Sequence, residues 1–321
     1  MILTHFTPNE IISFDASGSW PKSNYLLDEK SAYALEMALA TQRPLLVKGE
    51  PGMGKSFLAR AAAAKLNRQF IAEVININTE GQDLLWRYDP VARLNDAHAG
   101  FKDDQLNPKN YLNPGVLWWA FSWKTAQTQY DACRHKVYRP QTVNDHEQVN
   151  GTVLLIDEID KAEPSLPNSL LEVLGNRGFE VPLLETSIRH AEQAAPLVII
   201  TTNDERELSP AFMRRCLVLH LTVADKDYEQ WLLDRAHVHY KESQCSKVIK
   251  SLAAKQLIQD REAANRQGLI KPGLAEYLDL LQALNEMVSA EIKDDINGEA
   301  RTEQQTQLLK SIAEFVLQKA V

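Results

Sequence analysis

The 321-residue chain is predicted to be an α/β protein, a doubly wound parallel sheet built around a P-loop and followed by an all-helical domain. Three observations carry this. Gly49-Glu50-Pro51-Gly52-Met53-Gly54-Lys55-Ser56 fits G-x-x-x-x-G-K-[ST], the loop that wraps the phosphates of a nucleoside triphosphate, and it stands between an apolar run and a helix-prone run. Val153-Leu154-Leu155-Ile156 and Leu197-Val198-Ile199-Ile200 are uninterrupted apolar runs, the form of strands covered on both faces. From about residue 225 the apolar spacing is helical to the end, including Leu308, Ile312, Phe315 and Val316.

Taken in order, residues 1–27 read as irregular, rich in polar and turn-forming types. Asp28 can cap a helix running to about Thr41, with Ala34, Leu35, Ala38 and Leu39 on one face. Pro44–Val47 is a buried strand feeding the glycine loop, and Phe57–Leu66 is strongly helix-prone. Phe70–Ile77 reads as a second strand, and residues 80–98 as a helix interrupted near Pro90. Asn107-Pro108 and Asn113-Pro114-Gly115 mark turns; Leu117–Trp123, apolar all round, is a buried helix, and 139–150 a surface loop. After the strand ending at Asp157-Glu158 comes a helix with Ser165 as its cap, Pro167 in its first turn and Gly175 just past its end. Residues 177–190 can form a hairpin, and Leu217–Leu221 closes the strand series. Strands alternating with helices give the doubly wound sheet.

Composition is that of a soluble globular protein, 44% hydrophobic and 24% charged, with a formal net charge of −8. That balance does not suggest a non-specific nucleic-acid binder, which would carry a basic patch. Cys133, Cys216 and Cys245 are odd in number and far apart, which suits neither a disulfide framework nor a metal knuckle and points to a reducing cytoplasm. The start has no basic region followed by a long apolar stretch, and no run approaches the roughly 18 apolar residues of a membrane helix. Of eight scattered histidines, His237 and His239 are the closest pair and lie in a polar helical stretch.

The chemistry follows from the loop. Its glycines let successive N–H groups face one anion-sized hollow. Lys55 would reach the β- and γ-phosphates, Ser56 would ligate Mg²⁺, and the helix opening at Lys55 aims its positive end at the same anion. Asp157, at a strand's carboxyl end, is placed to hold Mg²⁺ through water. Glu158 next to it would point another way along the strand and could polarise an attacking water. Asn203 follows the strand Leu197–Thr202, where an amide could hold both the γ-phosphate and the water. Arg214-Arg215, after a short helix beginning at Ser209-Pro210, could be solvated, pair with acids, or reach a neighbouring subunit's nucleotide as a finger worth about 10³–10⁵ in rate.

Together these segments resemble the Walker A (Gly49–Ser56), Walker B (Leu154–Glu158), sensor 1 (Thr201–Asp204) and arginine-finger (Ala211–Arg215) segments of an AAA+ ATPase. More narrowly they resemble the MoxR branch, whose members carry stretches similar to Leu84–Asp89, Tyr111–Gly115, Asp157–Ala162 and Leu170–Glu172. The resemblance covers roughly residues 25–290 and implies an AAA+ core at 28–223, with an N-terminal segment 1–27, an insert at about 85–149 and a helical lid at 224–321. It implies nucleotide contacts from Glu50, Pro51, Gly52, Met53, Gly54, Lys55, Ser56 and Phe57, with Mg²⁺ held by Ser56 and Asp157. Glu158 would be the water-activating base, Asn203 sensor 1, and Arg215 the trans finger with Arg214 beside it. Lys271 stands where similar proteins have sensor 2; many relatives carry Arg there, so a point-charge contact replaces a bidentate one.

Such proteins bind ATP and Mg²⁺, assemble as rings, usually hexamers, and many work with a von Willebrand A-domain partner, which here would be a separate chain. The resemblance thus implies an ATP-driven, chaperone-like remodelling motor acting on a protein. A nucleotide-gated scaffold with slow hydrolysis is the alternative, and a nucleic-acid-stimulated motor fits the acidic balance less well. Tyr25 and Leu26 could line an adenine pocket or simply pack.

Overall fold

The computed structural model describes residues 3–141, 150–190, 195–288 and 299–316. The loop expected over 139–150 and the end of the 85–149 insert fall on residues 142–149, outside the described residues. The chain divides into two compact units. The first comprises Met1–Lys22, Leu27–Lys48 and Ser56–His220; the second comprises Ser23–Leu26, Gly49–Lys55 and Leu221–Val321.

The N-terminal region, expected to be irregular, contains strands β1 (Glu10–Phe14) and β2 (Ser23–Leu27). Each is five residues long and buries only alternate side chains, Ile12 and Phe14 in one and Tyr25 and Leu27 in the other. Two matches to a two-residue period are too few to stand out. Helix α1 (Glu29–Thr41) begins as expected: Asp28 caps it by accepting the Ser31 N–H at 2.9 Å, worth about 1 kcal/mol.

Then come β3 (Leu45–Lys48), α2 (Lys55–Leu66) and β4 (Gln69–Val74). The last stops short of Ile77 because the Asn76 side chain accepts the Asn78 N–H and turns the chain. The helix expected over 80–98 is instead a 3₁₀ turn at Gly81–Leu84, strand β5 (Trp86–Tyr88) and helix α3 (Pro90–His98), with Asp89 as cap. Strand β5 pairs antiparallel with β6 (Leu112–Pro114), and the two are far apart in sequence. The apolar stretch forms α4 (Val116–Phe121), whose six residues are all buried, followed by α5 (Trp123–Ala132).

Strand β7 (Thr152–Asp157) leads to α6 (Ser165–Asn176), β8 (Gly178–Val181), β9 (Thr186–Arg189), β10 (Leu197–Thr202), α7 (Pro210–Arg215) and β11 (Leu217–His220). Strands β8 and β9 form the expected hairpin. Helix α6 departs from expectation at both ends. Pro164, not Ser165, is its N-cap, and Gly175 lies inside it while Arg177 adopts φ 54° to end it. The glycine that matters is Gly178, where a Cβ would stand 2.7 Å from the Ile188 carbonyl oxygen of the hairpin.

The sheet of the first unit is five-stranded, in the order β11-β3-β10-β7-β4, every neighbour parallel. Register sets Lys48 opposite Thr202 and Ile156 opposite Ile200, so β3, β7 and β10 end together. All of β7 and β10 is buried, which accounts for their continuous apolar sequences. Trp118, Trp119 and Phe121 of α4 pack into the same core as Leu154, Ile156, Val198 and Ile200.

Helices α8 (Tyr228–His239), α9 (Lys247–Gln267), α10 (Leu274–Glu286) and α11 (Glu299–Val316) form the second unit around Leu232, Ile249, Leu257, Tyr277, Leu280 and Leu284. Among the described residues no helix is long and apolar enough to cross a membrane.

Candidate functional site

In the first unit the carboxyl ends of β7 and β10 bring the predicted acids together. Ser56, the second residue of α2, donates its hydroxyl to Asp157 at 3.1 Å (Oδ1) and 2.9 Å (Oδ2). Thr201, near the end of β10, donates its own hydroxyl to the same Oδ1 and accepts the Glu158 N–H at 2.9 Å. One threonine thus holds the Asp157 carboxylate and the Glu158 backbone, a role that Thr201's place in the segment resembling sensor 1 does not announce. A half-buried hydroxyl beside a buried carboxylate suits a hard cation such as Mg²⁺, which takes oxygen ligands and keeps several waters.

Glu158 does not continue the strand alternation. It sits at φ 60° and ψ 48°, the left-handed region, so a turn rather than the pleat directs its side chain. Its Oε2 lies 2.6 Å from Lys161 Nζ, and this hydrogen bond pushes the Lys161 ammonium's pKa up. Asp160, only 3% exposed, turns the other way. Its Oδ2 accepts the backbone N–H of Asn203 at 3.1 Å and of Glu205 at 3.0 Å.

Arg214 and Arg215 are the last two residues of α7 rather than following it. Both are exposed, and neither guanidinium bonds to another described residue. Their backbone is held firmly: Arg43 donates Nη2 to the carbonyls of Arg214 (2.6 Å) and Cys216 (3.0 Å), and Nε to that of Arg215 (3.2 Å). Phe57 packs its ring near Phe14 and Trp20, so any nucleotide contact it makes would come from its backbone.

The second unit holds the loop. Gly52 and Gly54 have φ 77° and 86°, conformations that a side chain would strain. A Cβ on Gly49 would meet the Leu221 carbonyl oxygen at 2.8 Å, and Tyr25 packs against Gly54. Lys55, 8% exposed, donates its ammonium to the loop's own carbonyls at Gly49 (2.6 Å) and Glu50 (3.0 Å), curling back over the hollow it would serve. Lys271 lies 3.9 Å from the Glu50 carboxylate, the limit of an ion pair. The tighter partner of Glu50 is Arg261 of α9, whose Nη1 also donates to the Pro272 carbonyl at 3.0 Å and whose guanidinium stacks 4.8 Å over the Tyr228 ring. As one of several charged residues on a long polar helix, Arg261 is invisible to pattern reading. These groups border a cavity of about 340 Å³ that Met53 and Val223 also line. The Tyr228 hydroxyl is buried without a partner among the described residues, and burial pushes its pKa up.

A parallel sheet whose strand leads through a glycine loop into a helix, with paired acids at the end of a second strand, defines a P-loop nucleotide-binding protein. The family model of the AAA domain (dynein-related subfamily) matches residues 44–216, more than half of the chain, and the chain belongs to that family. Among solved structures it is similar to the Thermotoga maritima RuvB Holliday junction branch migration motor, at 17% identity and TM-score 0.42, covering 88% of this chain and 67% of that one. A candidate ATPase from Cytophaga hutchinsonii gives 14% identity and TM-score 0.38, covering 89% and 79%. No curated protein matches the sequence.

Proposed function

We propose that this chain is a Mg²⁺-dependent ATPase of the MoxR branch that works in a ring, usually a hexamer in that branch, and remodels a protein partner in a chaperone-like way. The observation that carries the hydrolytic reading is the cluster Ser56–Asp157–Thr201–Glu158, in which two hydroxyls hold the Asp157 carboxylate and one of them also holds the Glu158 N–H. In this reading residues 28–223 are the nucleotide-binding domain, 224–321 the lid, and the segment at about 85–149 an insert that contacts the partner. That partner could be a separate von Willebrand A-domain chain.

Backbone N–H groups of Glu50 to Phe57 would wrap the phosphates, and Lys55 would exchange the Gly49 and Glu50 carbonyls for phosphate oxygens. Ser56 and Asp157 would hold Mg²⁺, which when bound neutralises charge building on the phosphates. Glu158 would take a proton from the attacking water while Asn203 orients that water and the γ-phosphate. Lys271 would act as sensor 2, and Arg215 or Arg214 would supply positive charge to a neighbour's nucleotide.

The Lys161–Glu158 ion pair favours a second reading. A carboxylate already bonded to an ammonium must leave that partner before it can meet a water, as suits a nucleotide-gated scaffold with slow hydrolysis. Phosphate release by purified protein, with and without Glu158→Gln, separates the two. A motor turns over and loses at least about 10²-fold with the amide while still binding ATP. No Mg²⁺-ATP hydrolysis by the wild type, with binding intact, would leave the scaffold.

A further inference from the structure

The loop that follows β10 is tied down on both sides by groups that the hydrolytic scheme does not use. Asp160 accepts two of its N–H groups, those of Asn203 and Glu205, on the single oxygen Oδ2. Arg206 Nη1 donates to the Ala162 carbonyl at 2.7 Å, a second bond back to the same segment. From the opposite side Lys48, at the end of β3, places Nζ 2.8 Å from Asp204 Oδ1. Asp204 itself takes φ 59° and donates its N–H to Thr202 Oγ1 at 2.9 Å. A non-glycine residue in that region costs energy and persists only where neighbours over-determine it. Asp160 shows the same imbalance. Its Oδ1 is buried with no partner among the described residues, so the carboxylate gives up half its bonding capacity in order to grip this loop.

We propose that Asp160 and Lys48 are positioning residues that set where Asn203 stands relative to Glu158. Asp160 is two residues from the acid that would activate water, and it bonds directly to the backbone of the amide that would orient that water. The span between Glu158 and Asn203 is therefore bridged by one short side chain, with Lys48 and Asp204 preventing the loop from sliding the other way. Direct charge contact with substrate is no part of the role. Oδ2 is occupied by two backbone donors, so Asp160 acts through Asn203. The inference rests on Asn203 being the amide that faces the γ-phosphate.

Two measurements test it. Amide hydrogen exchange read over residues 203–205 needs no turnover. Asp160→Ala should speed exchange there about tenfold or more, and Asp160→Asn, which keeps an acceptor oxygen, should largely restore protection. Unchanged exchange in a folded Asp160→Ala overturns the proposal. In steady-state ATP hydrolysis, Asp160→Ala should lower kcat by about 10²-fold with KM within about twofold, the signature of a misplaced group rather than lost binding. Should Asp160→Ala not fold, Lys48→Ala decides, since it cuts only a half-exposed ion pair: exchange at 203–205 should still rise, and wild-type protection overturns the proposal. A wild type that hydrolyses nothing would defeat the ATPase reading alone, because the exchange result stands separately.

Discussion

The acid corner and the arginine pair belong to the same unit, yet one is complete and the other half-built. Around Asp157 and Glu158 the chain supplies every partner: Ser56, Thr201 and Lys161 meet the side chains, and the Glu158 N–H is satisfied as well. Around Arg214 and Arg215 only the backbone is held, by Arg43, while both guanidinium groups stand exposed. Ordering long cationic side chains costs entropy that no described residue returns. On the proposed reading, the acids would work inside one subunit, and the arginines would make a contact that another molecule provides.

The largest expected effect would break that contrast if absent. Arg215→Ala should lower turnover of the assembled protein by about 10³-fold, yet leave the urea unfolding midpoint of the dissociated chain where it was. A shifted midpoint would mean that the arginine serves its own fold. Thr201→Val probes the other side. It keeps the shape but strands the Glu158 N–H and leaves Asp157 Oδ1 with the Ser56 hydroxyl alone, so stability should fall by roughly 2 kcal/mol in the same titration. An unmoved midpoint would mean that the corner is organised by something else. The smallest effect is a null. Cys216 directly follows the arginines but is buried, and desolvation pushes its pKa up to about 12, that of Cys245 to about 11, and that of Cys133 up as well. A raised pKa keeps a thiol protonated below that value. At pH 8 the folded protein should therefore leave a disulfide reagent unreacted, and the unfolded chain should react at all three cysteines. Rapid labelling of Cys216 in the native state would show the end of α7 to be loose, and would blur the comparison.

What could be read from the residues alone follows the same division. Strands β3, β7 and β10 are legible because burial on both faces writes them as unbroken apolar runs, and the glycine loop because its backbone admits few other residues. Strands β1, β2, β5 and β6 are three to five residues long, and β5 depends on a distant partner, so no period announces them. In the site, Ser56 and Asp157 meet as their motifs imply. Thr201 and Asp160 become visible only once β7 and β10 lie side by side, because their partners are set by register rather than by spacing. Alternation along a strand misdirects Glu158, since the chain leaves the pleat one residue earlier.

The clasp of Arg43 on the end of α7 has a mechanical consequence. Arg43 stands two residues before β3, and β3 runs straight into the glycine loop. Any outside load that tugged on Arg214 or Arg215 would arrive at the start of that strand through three bonds gathered on one guanidinium, and from there would run along β3 to Lys48. Whatever seized the arginines would in effect have hold of an inner strand of the sheet and not of one short helix alone.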